Sequence, residues 1–117
     1  MKNISSAALR RRRKRLVLAL PPLEQIIRGS LSETYKRCGR SRCHCNSGPG
    51  HGPKRYLSTV ARTGERPRLG YVPNVSYPQV SEFLTNYRKL QQMLNEICAI
   101  NAELCDAARV STEWIRL

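Results

Sequence analysis

The sequence predicts an α+β fold: N-terminal helices, a small zinc-knuckle β-hairpin module and a long C-terminal helix. Three features carry this expectation. A basic stretch with helix-capping serines runs into Pro21-Pro22. A middle segment rich in Cys, Gly and Tyr reads as short strands and turns. From Val80 onward apolar residues recur at steps of three and four, the spacing of one helix face. The segments follow as 1–29 (basic, helical), 30–77 (knuckle and hairpin), 78–110 (long amphipathic helix) and 111–117 (tail).

Ser5 or Ser6 can cap a first helix through Leu20, because a side-chain hydroxyl accepts a backbone N–H that the first turn leaves unpaired. Proline disfavours helix in the residue before it and has no N–H of its own, so Pro21-Pro22 ends that helix. Leu23–Arg28 reads as a short second helix with Gly29 just past its end. Ser30–Arg37 reads as a strand. Lys54–Ala61 and Arg68–Val72 flank Thr63-Gly64-Glu65-Arg66 as a hairpin. The loop Asn46–Pro53, with three Gly and two Pro, reads as irregular. Ser76 and Gln79 form a capping-box pattern for a helix running to Arg109. Its seam, Val80, Phe83, Tyr87, Leu90, Leu94, Ile97, Asn101, Leu104 and Ala108, fits either packing on the N-terminal helix or a coiled coil between chains. In the second case Leu90, Leu94, Ile97, Asn101 and Leu104 are the oligomerisation residues, and Asn101 can set register. Trp114 lies beyond the helix, in the tail.

Charge narrows the partner. The 117 residues carry 21 Lys and Arg against 8 Asp and Glu, a net charge of +13 and a pI near 10.3. Such a surface seeks polyanions. The charge is confined: 17 basic and 3 acidic residues lie through Tyr77, 4 basic and 5 acidic beyond it. The size excludes large multidomain enzymes, and the 40% apolar content excludes a purely disordered basic tail. The apolar run Leu16–Leu20 is too short for a membrane span or signal peptide, so a cytoplasmic protein without membrane contact is expected.

The chemistry concentrates in Cys38–His51. Five cysteines, an odd number, with Cys38, Cys43 and Cys45 close together, fit metal binding in a reducing compartment better than a disulfide framework. Cys38, Cys43, Cys45 and His51 make a C-x4-C-x-C-x5-H pattern, and Cys3His is a closed structural ligand set for Zn2+. His44 is the substitute fourth ligand, but adjacent residues rarely converge on one small ion. A redox-active thiol cluster is the competing reading, since the neighbouring cations depress thiolate pKa values as well. A catalytic zinc needs an open position and a general base, and Glu33 is the one carboxylate nearby. No enzyme is expected.

Gly29-Ser30-Leu31, Tyr35, Cys38-Gly39, Cys43-x-Cys45, His51-Gly52-Pro53, Tyr56-Leu57-Ser58, Tyr71-Val72-Pro73 and Asn86-Tyr87-Arg88 together resemble a family of small prokaryotic proteins of unassigned function. Its pattern combines a Cys-rich knuckle, a tyrosine-rich strand and a C-terminal helix. The resemblance covers roughly Leu23 to Leu104 and implies kinship of fold rather than an activity. This chain departs from the pattern at Arg55, where the family has an aromatic residue.

Two clusters form the expected nucleic-acid surface: Arg10, Arg11, Arg12, Arg13, Lys14 and Arg15, then Lys36, Arg37, Arg40, Arg42, Lys54 and Arg55 around the knuckle. Arginine outnumbers lysine 16 to 5, and planar guanidinium suits bidentate phosphate contacts and stacking on bases. Tyr35, Tyr56 and Tyr71 are either stacking platforms or ordinary packing. The expectation is therefore a zinc-dependent nucleic-acid-binding protein, DNA ahead of RNA, serving as an accessory subunit of a nucleoprotein complex. An RNA-binding protein of a ribosome-like particle is the alternative. A third reading is an adaptor that dimerises, or binds a larger protein, through its C-terminal helix.

Overall fold

The computed structural model describes residues 4–48, 50–60, 62 and 64–108; of these, the side chains of 45, 46, 107 and 108 lie outside the description. Helix α1 (Ser6–Leu18) is followed by a 3-10 turn (Leu23–Gln25), strand β1 (Gly29–Lys36) and a second 3-10 turn (His44–Ser47). Strands β2 (His51–Thr59) and β3 (Arg68–Val72) then lead into helix α2 (Tyr77–Ala108). The fold is α+β, with one antiparallel sheet of order β1-β2-β3. Residue contacts divide it into two compact units, Leu23–Tyr87 and Met1–Pro22 with Arg88–Leu117. The tail 111–117, with Trp114, lies outside the described residues.

Ser5 is the N-cap of α1, its hydroxyl accepting from the Ala8 N–H at 3.1 Å. The helix stops two residues short of Leu20. Its last turn tightens as the Ala19 N–H is shared between the carbonyls of Arg15 and Leu16, a common way to satisfy a helix end. Arg12 of α1 pairs with Glu96 of α2, and Arg13 Nη1 donates to Asn101 Oδ1 at 2.7 Å. Among the described residues Leu9, Leu90 and Ile100 are the fully buried apolar side chains of this unit.

In the other unit the expected helix Leu23–Arg28 shrinks to a single 3-10 turn. The Ile27 N–H donates to the Phe83 carbonyl on α2, and Asn86 Nδ2 donates to the Gln25 carbonyl. Tertiary partners thus take the polar groups a longer helix would have paired internally. Gly29 is no helix cap; it opens β1 opposite Thr59. The hairpin of β2 and β3 pairs Arg55 with Val72 and Thr59 with Arg68. The expected loop Asn46–Pro53 is irregular only in part, because β2 starts at His51 and takes in Gly52-Pro53, joined by a cis peptide bond. Pro53 is tolerated there because β3 reaches only as far as Arg55, leaving that stretch of β2 with a single neighbour.

Strand alternation gives the sheet two unlike faces. Leu31, Leu57 and Val72 share one face with the pair Glu33 and Arg55. The first turns of α2 lie on it, since Tyr77 packs on Arg55 and Val80 lines a groove of about 460 Å³ with Leu57 and Val72. Ser30, Ser32, Lys54, Tyr56, Leu69 and Tyr71 make up the other face. Helix α2 starts from the turn after β3, where the Pro73 carbonyl accepts from Ser76 and Tyr77 and the Ser76 carbonyl accepts from Val80. Among the described residues no helix is long and apolar enough to cross a membrane.

Candidate metal centre

The Cys-rich loop joins two antiparallel neighbours, so its ends return to one place. Lys36 at the end of β1 is the register partner of His51 at the start of β2, after a bulge between Thr34 and Lys36. This pairing alone brings Cys38 near His51. Two glycines permit the approach. Gly50 has φ +105°, and a Cβ on it would lie 3.0 Å from the Lys36 carbonyl. Gly52 has φ +150°, and a Cβ there would lie 2.7 Å from the Thr34 carbonyl oxygen. No L side chain suits either position. On the far side of the loop a turn closed by the Cys43 N–H on the Arg40 carbonyl, at 3.2 Å, turns Cys43 inward. The following 3-10 turn is held by the Ser47 hydroxyl on the His44 carbonyl.

Cys38, Cys43 and His51 therefore converge, their ligand atoms all lying within 4.8 Å of one another. Cys43 Sγ is 3.1 Å from His51 Nε2. A tetrahedral ion with bonds of about 2.3 Å to sulfur and 2.0 Å to nitrogen holds its ligand atoms roughly 3.5–3.8 Å apart. The three donors already stand near that spacing, and small side-chain rotations would admit an ion. His51 and Cys43 are half-buried and Cys38 is exposed, which puts the group at the rim of the sheet.

Of the two histidines, His51 is the one in the group. The His44 ring meets that of His51 edge to face, with centroids 5.1 Å apart, and its Nδ1 is 3.9 Å from Cys43 Sγ. It stands beside the donors. The side chain of Cys45, the fourth expected ligand, lies outside the described residues.

A sequence model described as a domain of unknown function, DUF6788, matches residues 6–82. The chain belongs to this family. Comparison with curated proteins and with solved structures gives no match. The DUF6788 match takes in α1, the whole sheet and all three candidate donors, and stops within α2. It thus begins before Leu23 and ends before Leu104, the limits of the resemblance seen in the sequence.

Within the DUF6788 region most of the expected basic residues are exposed, and some also have partners in the fold. Arg10, Arg11, Lys14 and Arg15 are exposed. At 3.6 residues per turn they share an arc of about 140° on α1. Arg12 and Arg13 lie off that arc and are engaged by Glu96 and Asn101. Around the metal group Lys36, Arg37, Arg40, Arg42 and Lys54 are exposed. Arg55 is committed elsewhere: its Nε donates to Glu33 Oε1 at 2.9 Å and its Nη1 to Asn74 Oδ1 at 3.2 Å, while its Cζ lies 3.8 Å above the Tyr77 ring. Asn74 and Tyr77 escaped the sequence reading, because only the hairpin register and the start of α2 bring them to Arg55. Beyond the match, Leu90 is buried, Ile97 and Leu104 are half-buried, Leu94 is 45% exposed, and Asn101 accepts from Arg13.

Proposed function

We propose that this protein is a zinc-clamped, non-catalytic module that binds nucleic acid through the phosphate backbone, as an accessory part of a larger nucleoprotein assembly. The observation that carries the reading is the convergence of Cys38, Cys43 and His51 at the root of a loop whose exposed residues include Arg37, Arg40 and Arg42. Two thiolates and one imidazole are a soft donor set that suits zinc, and the sequence pattern offers Cys45 as the fourth ligand. Four protein ligands close the shell and leave no position for a substrate. Glu33, the nearby carboxylate, is held by Arg55 on the α2-facing side of the sheet.

The zinc fixes the shape of the loop, and the loop arginines then meet phosphates without a large ordering cost. The exposed arc of α1 gives a second set of cations, already organised on one side of a helix. Contacts of this kind position a protein on a polyanion and carry no sequence information, so the reading is of affinity rather than specificity.

Titration of labelled duplex DNA at several salt concentrations tests it. Each neutralised phosphate steepens the fall of log K with log salt by about 0.9. Changing Arg10, Arg11, Lys14 and Arg15 together to Ser should weaken binding and flatten that slope by about 3–4. A wild-type slope near zero is incompatible with phosphate recognition.

A further inference from the structure

The open face of the sheet carries an inference of its own, which rests on the nucleic-acid reading and narrows it. Glu33 is the sole acidic residue of the three strands, and it points to the α2 side with Arg55. The opposite face therefore carries no carboxylate. It holds the register partners Tyr56 and Tyr71, the neighbouring Leu69, and Lys54 one pleat away. Tyr71 is 56% and Leu69 68% exposed, so neither side chain is there to fill a core. The rings of Tyr56 and Tyr71 are 5.7 Å apart and inclined at 64°. Their faces diverge, so neither ring extends the stack of the other.

We infer that this face binds single-stranded nucleic acid, with the exposed ring of Tyr71 stacking on an unpaired base and the half-buried Tyr56 packed beside it. Three properties select that occupant. Aromatic faces that remain open stack on any base, whatever its sequence. An acid-free surface with Lys54 on it, reached from the exposed cations Lys36 and Arg37 at the end of β1, complements a polyphosphate chain lying across the strands. Bases in a duplex are stacked on one another and cannot reach a flat sheet, so the ligand must present them unpaired. Ser30 lies on the same face, and its hydroxyl can hydrogen-bond to base edges or sugars, whereas the Ser32 hydroxyl already donates to the Tyr56 carbonyl.

The test compares a labelled 12-mer of thymidine, a 12-mer of uridine and a duplex of the same length, using full-length wild-type protein, Tyr71→Ala and Tyr71→Phe. The expected result is that Tyr71→Ala loses about five- to hundredfold in affinity for the single strands, while Tyr71→Phe keeps it, because the ring and not the hydroxyl does the stacking. Duplex affinity and its salt slope stay at the wild-type values in both variants. The two single strands distinguish DNA from RNA as the source of the bases. Independently of any substitution, ultraviolet cross-linking of a 5-bromodeoxyuridine strand to wild-type protein should map to peptides containing Tyr56 or Tyr71. Equal single-strand affinity for wild type and Tyr71→Ala, or cross-links confined to α1, would overturn base stacking while leaving phosphate binding in place. Wild-type protein that binds neither single strand nor duplex overturns both readings.

Discussion

Arg55 shows how one residue can change its meaning once its neighbours are known. By composition it belongs to a basic patch; in the fold its guanidinium joins β1, β2, the turn after β3 and the start of α2. Its side chain is only 17% exposed, so these contacts are screened less than those of a surface pair. A charge-assisted hydrogen bond contributes roughly 1.5–3 kcal/mol, and a cation stacked on an aromatic ring about 0.5–2 kcal/mol. The interactions are not additive, and Glu33 is itself nearly half exposed. Arg55→Met is expected to lower stability by about 1–3 kcal/mol in urea unfolding, with nucleic-acid affinity per folded molecule unchanged. Loss of affinity at full stability would return Arg55 to the binding surface.

At the scale of the element, apolar burial rather than ion pairing holds α1 to its unit. Both members of the Arg12–Glu96 pair are more than 40% exposed, and pairs of that kind contribute about 0–1 kcal/mol. Leu9 and Ile100 are 4% and 3% exposed. Glu96→Gln should therefore change the urea midpoint little, whereas Leu9→Ala should cost about 2–5 kcal/mol and Ile100→Val about 0.5–1.5 kcal/mol. The reverse order would mean that charge, not packing, fixes this helix.

The elements also show what could be read in the chain beforehand. α1, α2, β1 and the hairpin were legible because each follows from local periodicity, a turn or a cap, as with Ser5 and Gly64. The donor group was legible too, since metal-ligand chemistry marks Cys38, Cys43 and His51 whatever fold surrounds them. Residues 26–28 were misread because Ile27 takes its hydrogen-bond partner from Phe83, far along the chain. The run Arg10–Arg15 looked uniform, yet the side of α1 that meets Glu96 and Asn101 decides which of its cations take partners on α2. No local pattern contains that information.

On the scale of the whole molecule, the proposed zinc bears on the stability of one unit and not the other. Among the described residues Val72 and Leu84 are the fully buried apolar side chains of Leu23–Tyr87. A unit with so little core needs a further constraint, and structural zinc contributes on the order of 10 kcal/mol in small domains. That is comparable with the whole net stability of a typical domain. Removing the metal should thus unfold the sheet while helical circular dichroism from α1 and α2 largely persists. A spectrum and an unfolding curve untouched by chelator, on protein verified as metal-free, would show that the sheet stands without it.

The most direct test of the account is the metal content of freshly purified full-length protein, measured by inductively coupled plasma mass spectrometry beside Cys43→Ser and His51→Ala. The account predicts one zinc per wild-type chain and a large loss in both variants. Wild-type protein without metal, or variants that retain a full equivalent, would contradict it.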